Sequence, residues 1–346
     1  MGYRMRETGG KLSSAEFDRV ILKHIAKDYL GKPFAARREG LSVTEHVSLA
    51  AELKKKRKLF TASASSFDPH TGEMLVYRAA LACSLSEKKP LQLTFSMCFP
   101  TGSEEKEMRS FFLAAKKAAE KLKLQFSDIS CAREETGKPF ISVTVFGETI
   151  EDEGVVKEVP ETIEAEELFI VLVGYPAKEG TILLREKYRE LLEKRYPRHF
   201  LYDEELEKSL VNPELYDVLL KNNPFIYSEP LEEGGIFGAL WQLSEQTHLG
   251  MEVKLQEIKL APLTVEICET LDISPYEMLS GGSFLGICRD AEKAIDLCAE
   301  AGEAACLIGV LKKGNDKLII NDDEIRHLEP FRTDSLNWLL LNEQNK

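Results

Sequence analysis

The run Leu168-Phe169-Ile170-Val171-Leu172-Val173 leaves the chain little freedom. It is an unbroken apolar stretch, mostly β-branched or aromatic, closed by Gly174, and reads as a strand buried on both faces. Such a strand needs further layers on either side of its sheet. Just before it, the segment 151–167 is acidic, carries Gly154 and Pro160, and separates two apolar regions. The expected architecture is therefore α+β in two domains, 1–160 and 161–346. A length of 346 residues suits two cores better than one.

The remaining pattern alternates helices and strands. Ser13 and Glu16 form a capping-box signature ahead of Phe17, Val20, Ile21, His24 and Ile25 at helical spacing. A second amphipathic helix is expected from about Ser42 into the basic run Lys54-Lys55-Lys56-Arg57-Lys58. Residues 59–63 read as a strand, Asp68-Pro69-His70-Thr71-Gly72 as a turn, and 91–97 as a half-buried strand by its alternation. A long helix follows Ser103, with Glu104 and Glu105 at its start and lysines at its end, as the helix dipole favours. A β-prone segment, 140–146, closes the first half. In the second half the spacing predicts helices over 182–196, 236–247, 264–271 and 291–301, and a strand over 283–288. Strands at 307–311 and 317–320 are expected to pair as a hairpin through Gly314-Asn315-Asp316.

Composition excludes several classes. A net charge of -13 argues against broad nucleic-acid binding, which needs a basic face. No stretch of about 18 apolar residues spans a membrane, and the first residues lack the apolar core of a secretion signal. Seven cysteines, an odd number with no C-x-x-C pair, fit reduced thiols in a cytoplasmic protein. Cys131 in particular is expected to be a buried, inert thiol. The six histidines, His70 and His199 among them, show no metal-ligand spacing.

Several segments, taken in order, resemble the aminoimidazole ribonucleotide (AIR) synthetase superfamily, in its branch near the hydrogenase-maturation factors. Gly174-Tyr175-Pro176-Ala177-Lys178-Glu179-Gly180-Thr181 resembles the branch's G-Y-x-x-x-E-G-T, and Glu233-Gly234-Gly235-Ile236-Phe237-Gly238-Ala239-Leu240-Trp241 its E-G-G-V-F-G-A-L-W. Leu279-Ser280-Gly281-Gly282-Ser283, Gly314-Asn315-Asp316 and Leu328-Glu329-Pro330 continue the series. In the first half, Ser66-Phe67-Asp68-Pro69-His70-Thr71-Gly72 resembles S-T-D-P-x-T-G, and 140–148 resembles P-I-V-S-V-T-A-I-G-E.

The resemblance implies ATP and Mg²⁺, used to phosphorylate an amide-type oxygen, and a homodimer paired through the first sheet. Mg²⁺ takes oxygen ligands, so that chemistry needs several carboxylates. Most of the family's are absent. Lys54–Lys58 replaces an acidic loop, Leu81 and Ala82 stand at an Asn-Asp pair, and Pro230-Leu231-Glu232 at an Asp-x-Thr. Asp68 remains as a possible metal ligand. Asp68, Glu233, Gly234, Gly235, Lys55 and Lys56 are the candidate nucleotide-binding residues, with Glu134, Glu135 and Glu148 as the acids that could converge on Asp68. Each has a plainer reading. Asp68 can cap a turn, Glu233 can complement a helix dipole, and Gly234-Gly235 can form a tight turn as readily as an anion site. The lysine run can be solvated or bind phosphate. The hydrogenase-maturation relatives also act through a C-terminal cysteine, which 341–346 lacks. The expectation is a ligand- or partner-binding homodimer with a degenerate ATP site; the alternative is an active ATP-dependent enzyme.

Overall fold

A computed structural model describes residues 57–66, 68–135, 137–148, 168–202, 206 and 208–343. The first expected helix, the second up to residue 56 and the expected domain boundary near 160 lie outside these residues; Arg57 and Lys58, the end of the basic run that the second helix was expected to enter, are strand instead.

The first half builds a four-stranded sheet. Its elements are β1 (Arg57–Ser65), α1 (His70–Leu85), β2 (Lys89–Pro100), α2 (Glu105–Lys121), β3 (Gln125–Glu134) and β4 (Phe140–Glu148). The strand order is β1-β4-β2-β3, antiparallel except for the parallel pair β2/β3. Period-2 alternation sends Phe60, Ala62, Leu93, Phe95, Met97, Phe99, Ile141, Val143 and Val145 to one face, where they share a core with α1 and α2. The opposite face carries Thr61, Ser63, Thr94, Ser96, Ser142 and Thr144, in register across three strands.

The second half contributes β5 (Phe169–Val173), α3 (Lys178–Lys187), α4 (Arg189–Arg195), α5 (Arg198–Leu201), α6 (Pro213–Asn222), β6 (Tyr227–Pro230), α7 (Gly235–Thr247), β7 (Gly250–Lys254) and α8 (Pro262–Leu271). There follow β8 (Phe284–Cys288), α9 (Ala291–Glu300), β9 (Ala305–Lys312), β10 (Lys317–Asn321), β11 (Glu324–His327) and α10 (Ser335–Glu343). Seven strands form one sheet in the order β11-β10-β7-β9-β5-β8-β6. β5 lies inside the sheet, between β9 and β8, and is buried on both sides, as its apolar run requires. Ile170 and Leu172 pack into the core beneath α7, Val171 and Val173 into the core shared with the first sheet.

Three expectations change. The segment read as a turn at 68–72 is the start of α1, because Asp68 accepts from the His70 amide and Pro69 leads directly into helix. The rest of α1 carries no amphipathic signal: nearly every residue from Thr71 to Ser84 is buried, so its apolar positions surround it instead of forming a stripe. The helix expected over 182–196 is two helices that meet at Tyr188, where the backbone departs from helical geometry at φ -101°, ψ 25°. Strands β9 and β10 do not form a hairpin. β7 lies between them, antiparallel to β9 and parallel to β10. The Gly314-Asn315-Asp316 loop instead closes over the start of β7, where Met251 donates its amide to the Asp316 carbonyl at 2.8 Å.

Candidate functional site

The polar interior of the molecule is organised around Arg78. Its position on α1, two turns past the helix start, buries it where α1 meets the second half of the chain, 6 % exposed. It forms ion pairs with Glu232 at 3.4 Å, just ahead of α7, and with Glu179 at 3.8 Å, in the first turn of α3. Burial alone would favour loss of the Arg78 proton, but the two carboxylates outweigh it and raise its pKa. Its Nε has no hydrogen-bond partner among the described residues. Gly281 lies against this cluster, and a Cβ there would collide with the Glu179 carboxylate.

Around this centre sit three segments that also carry the sequence resemblance. Ser280 accepts from the Ala177 amide at 2.6 Å and Ser283 donates to the Tyr175 carbonyl at 2.7 Å, tying the turn after β5 to the entry of β8. Lys178 is fully buried, donates to the carbonyls of Ser209 and Gly282, and has its pKa lowered to about 8 by burial, partly opposed by Glu303. Burial in turn raises the Glu303 carboxyl.

Gly234 and Gly235 both adopt left-handed backbone, φ 88° and 59°, immediately before α7. The Gly234 amide donates to Asp334 Oδ2 at 2.8 Å, the Phe331 ring covers the same glycine, and Asn337 donates to Glu233 at 2.9 Å. The second oxygen of Asp334 caps α10 through the Leu336 amide at 2.9 Å. Desolvation raises the buried Asp334 carboxyl to about 7 despite these amides.

Asp68 does not join this group. Its electrostatic neighbours are His70 and, from the last turn of α3, Glu186 and Arg185; burial raises its pKa. At 1.5 Å of rise per residue, the start of α1 lies roughly 12 Å along the helix from Arg78. Beside it, the His70 hydrogen bond with Glu73 raises the histidine. Glu73, also bonded by Tyr77, is lowered despite its burial. Glu134 and Glu135 are exposed, at the end of β3 and in the bend after it, and Glu148 ends β4, at the far end from the Phe140 that pairs with Ser65. Lys55 and Lys56 lie outside the described residues; Lys58 of the same run is in β1, 5.2 Å from the centroid of the Phe60 ring. Cys131, expected to be buried, is exposed, because β3 is the edge of its sheet and most of the strand faces solvent. Among the described residues no group of three or more His, Cys, Asp or Glu side chains could hold a metal ion. Sequence reasoning missed Arg78, Lys178 and Asp334. Only Arg78 carried a local signal, a charged residue within an apolar stretch.

No family model and no curated protein matches the chain. Solved structures do. The hydrogenase maturation protein HypE in complex with ATP aligns with a TM-score of 0.67 at 16% identity, over 95% of this chain and 98% of its own. HypE from a HypE–HypF complex gives 0.67 at 15%, over 91% and 99%. Thiamine monophosphate kinase from Aquifex aeolicus gives 0.58 at 16%, over 88% and 100%. With 15–16% identity spread over nearly the whole length of both proteins, what is shared is the course of the backbone, and the chain has the AIR-synthase-like fold of HypE and thiamine monophosphate kinase.

Proposed function

We propose that this chain is a catalytically degenerate member of that fold, working as a homodimer that binds a ligand or a partner protein instead of turning over ATP. One observation carries the reading. The groups suited to an anion in the interior are already matched by the chain's own carboxylates and carbonyls: Arg78 by Glu179 and Glu232, the Gly234 amide by Asp334, Lys178 by two backbone carbonyls. A triphosphate would have to displace them, and breaking a buried ion pair costs about 3–5 kcal/mol. The division into domains near residue 160, pairing of two copies through the first sheet and a cytoplasmic location belong to the same proposal. A protein partner is in keeping with the HypE–HypF complex among the similar structures.

The likeness to HypE in complex with ATP favours a second reading, an ATP-dependent enzyme of the hydrogenase-maturation kind. Nucleotide binding would then draw on Asp68, Glu233, Gly234, Gly235, Lys55 and Lys56, with the lysines supplying charge that metal ions supply elsewhere. Calorimetric titration with ATP, with and without Mg²⁺, separates the readings. We expect no magnesium-dependent binding. Micromolar binding that requires Mg²⁺ would overturn the degenerate reading, and metal-independent binding lost in Lys55→Ala/Lys56→Ala would assign the lysine run.

A further inference from the structure

We propose that the corner of the first sheet where β1 begins, β4 ends and β2 begins is a binding site for a chain of linked phosphates. The basic run 54–58 enters β1 here. The structure adds two lysines from another part of the chain, Lys88 and Lys89, where α1 turns into β2. This corner stands apart from the groups described above. Lys58 lies about 23 Å along β1 from the Ser65 end that leads to Asp68, so the proposal holds whether or not a nucleotide binds elsewhere.

Register brings the cations together. β4 lies between β1 and β2, with Lys58 and Pro90 both opposite Gly147, and Arg57 and Lys89 both opposite Glu148. Arg57 and Lys89 are thus two strand spacings apart, about 10 Å. Gly147 lets the lysine turn approach, since a Cβ there would lie 2.8 Å from the Lys88 Cβ and 2.5 Å from Cys83 Sγ. Cys83 pins the same turn: its carbonyl accepts from the Lys88 amide at 3.1 Å, and its thiol donates to the Lys88 carbonyl at 3.3 Å. Lys58 is held over the Phe60 ring, 5.2 Å from its centroid. Both lysines are half-buried and both act on the Cys83 thiol, while Lys89 is exposed.

Setting these like charges side by side costs the chain energy. Burial first, and the Lys58 charge next, lower the pKa of the Lys88 ammonium, with Glu87 opposing in part. Helix capping does not account for the arrangement. The carbonyls of Ala82, Cys83 and Ser84 at the end of α1 already accept from the amides of Ser86, Glu87 and Lys88, so the lysines are not needed to close the helix. The two acids of the corner do not cancel it either. Glu87 accepts from Asn223 at 3.3 Å, and Glu148 stands in register between two cationic residues. An anion bridging Lys58 and Lys88 would turn the repulsion into attraction. Lysine serves phosphate as a point charge, and cations spread over about 10 Å suit several linked phosphates better than one.

The test uses the full chain in metal-free buffer. Tripolyphosphate, orthophosphate and ATP are titrated by calorimetry at matched ionic strength. We expect saturable binding of tripolyphosphate, at least about tenfold tighter than orthophosphate, since only the chain reaches several ammonium groups. ATP binding equal to that of tripolyphosphate supports a site that reads the phosphates alone, and tighter binding of ATP supports a nucleotide as their source. Lys58→Met/Lys88→Met, which keeps the apolar stems packed, should weaken tripolyphosphate binding at least about tenfold, and Lys89→Ala, at an exposed position, about threefold. Lys254→Met/Lys312→Met removes two exposed charges from the second sheet and should change binding by less than about twofold. No saturation by tripolyphosphate up to about 1 mM, orthophosphate binding as tightly as tripolyphosphate, or equal losses in the two double variants would overturn the proposal.

Discussion

Arg78 shows how much of this molecule rests on single buried charges. Removing it takes from both Glu179 and Glu232 the guanidinium that faces them in the interior. Arg78→Met should therefore lower stability by about 3–5 kcal/mol, read as a reduced midpoint in urea unfolding. Arg78→Lys should recover only part of the loss, because one ammonium cannot present the planar fork that reaches both carboxylates. Asp334 makes a pH-dependent contribution. Its folded pKa, about 7, lies above the ordinary 3.8, so between these values the folded chain binds more protons than the unfolded one. Its contribution to stability is then greatest below about pH 4 and declines as pH rises to about 7. Asp334→Asn removes the titrating group while keeping one acceptor for the Gly234 amide. Melting temperatures of this variant, compared with the parent across pH 4–8, should lose that downward slope; an unchanged slope would place its origin elsewhere.

At the scale of an element, the entry to α7 is decided by backbone geometry. Gly235 combines φ 59° with a site where a Cβ would lie 2.6 Å from the Tyr276 carbonyl and 2.7 Å from that of Met278. Gly302 has a similar φ, 71°, but open space around it. Gly302→Ala should cost only the left-handed penalty of about 1–2 kcal/mol, whereas Gly235→Ala should cost clearly more, since backbone must move as well; thermal unfolding of the two variants side by side measures the difference. The resemblance made Gly234 and Gly235 visible in the sequence. What lay beyond reach was that Asp334, about a hundred positions on, would fill the Gly234 amide. The same limit explains α1. A helix buried all round has no stripe, and periodicity, the main sequence signal for a helix, vanishes when every face packs.

For the whole molecule, the open face of the first sheet bears on assembly. Thr61 and Thr144 share a 2.8 Å hydrogen bond there, with Thr94 next in register, and Phe140 stands 45 % exposed on the same face. Under the proposed homodimer this face pairs with its copy, so sedimentation velocity should show a dimer for the parent chain and a monomer for Thr144→Arg, which sets two like charges against each other across the symmetry axis. A parent chain that sediments as a monomer would remove the dimer from the functional reading.

The sequence by itself determined the α+β class, the buried strand at 168–173, most strands and helices of the second half, and the resemblance that the backbone bears out. These follow from local periodicity, turn chemistry and short motifs, all of which act over a few residues. Only the tertiary structure decided that β7 would separate β9 from β10, that a charged residue on a fully buried helix would meet Glu179 and Glu232, and that Asp68 would lie apart from Glu233. Strand order and buried ion pairs depend on which distant segments share a core. That choice follows from burying the most apolar surface while leaving the fewest polar groups unmatched, a sum taken over the entire chain and recorded in no short stretch of it.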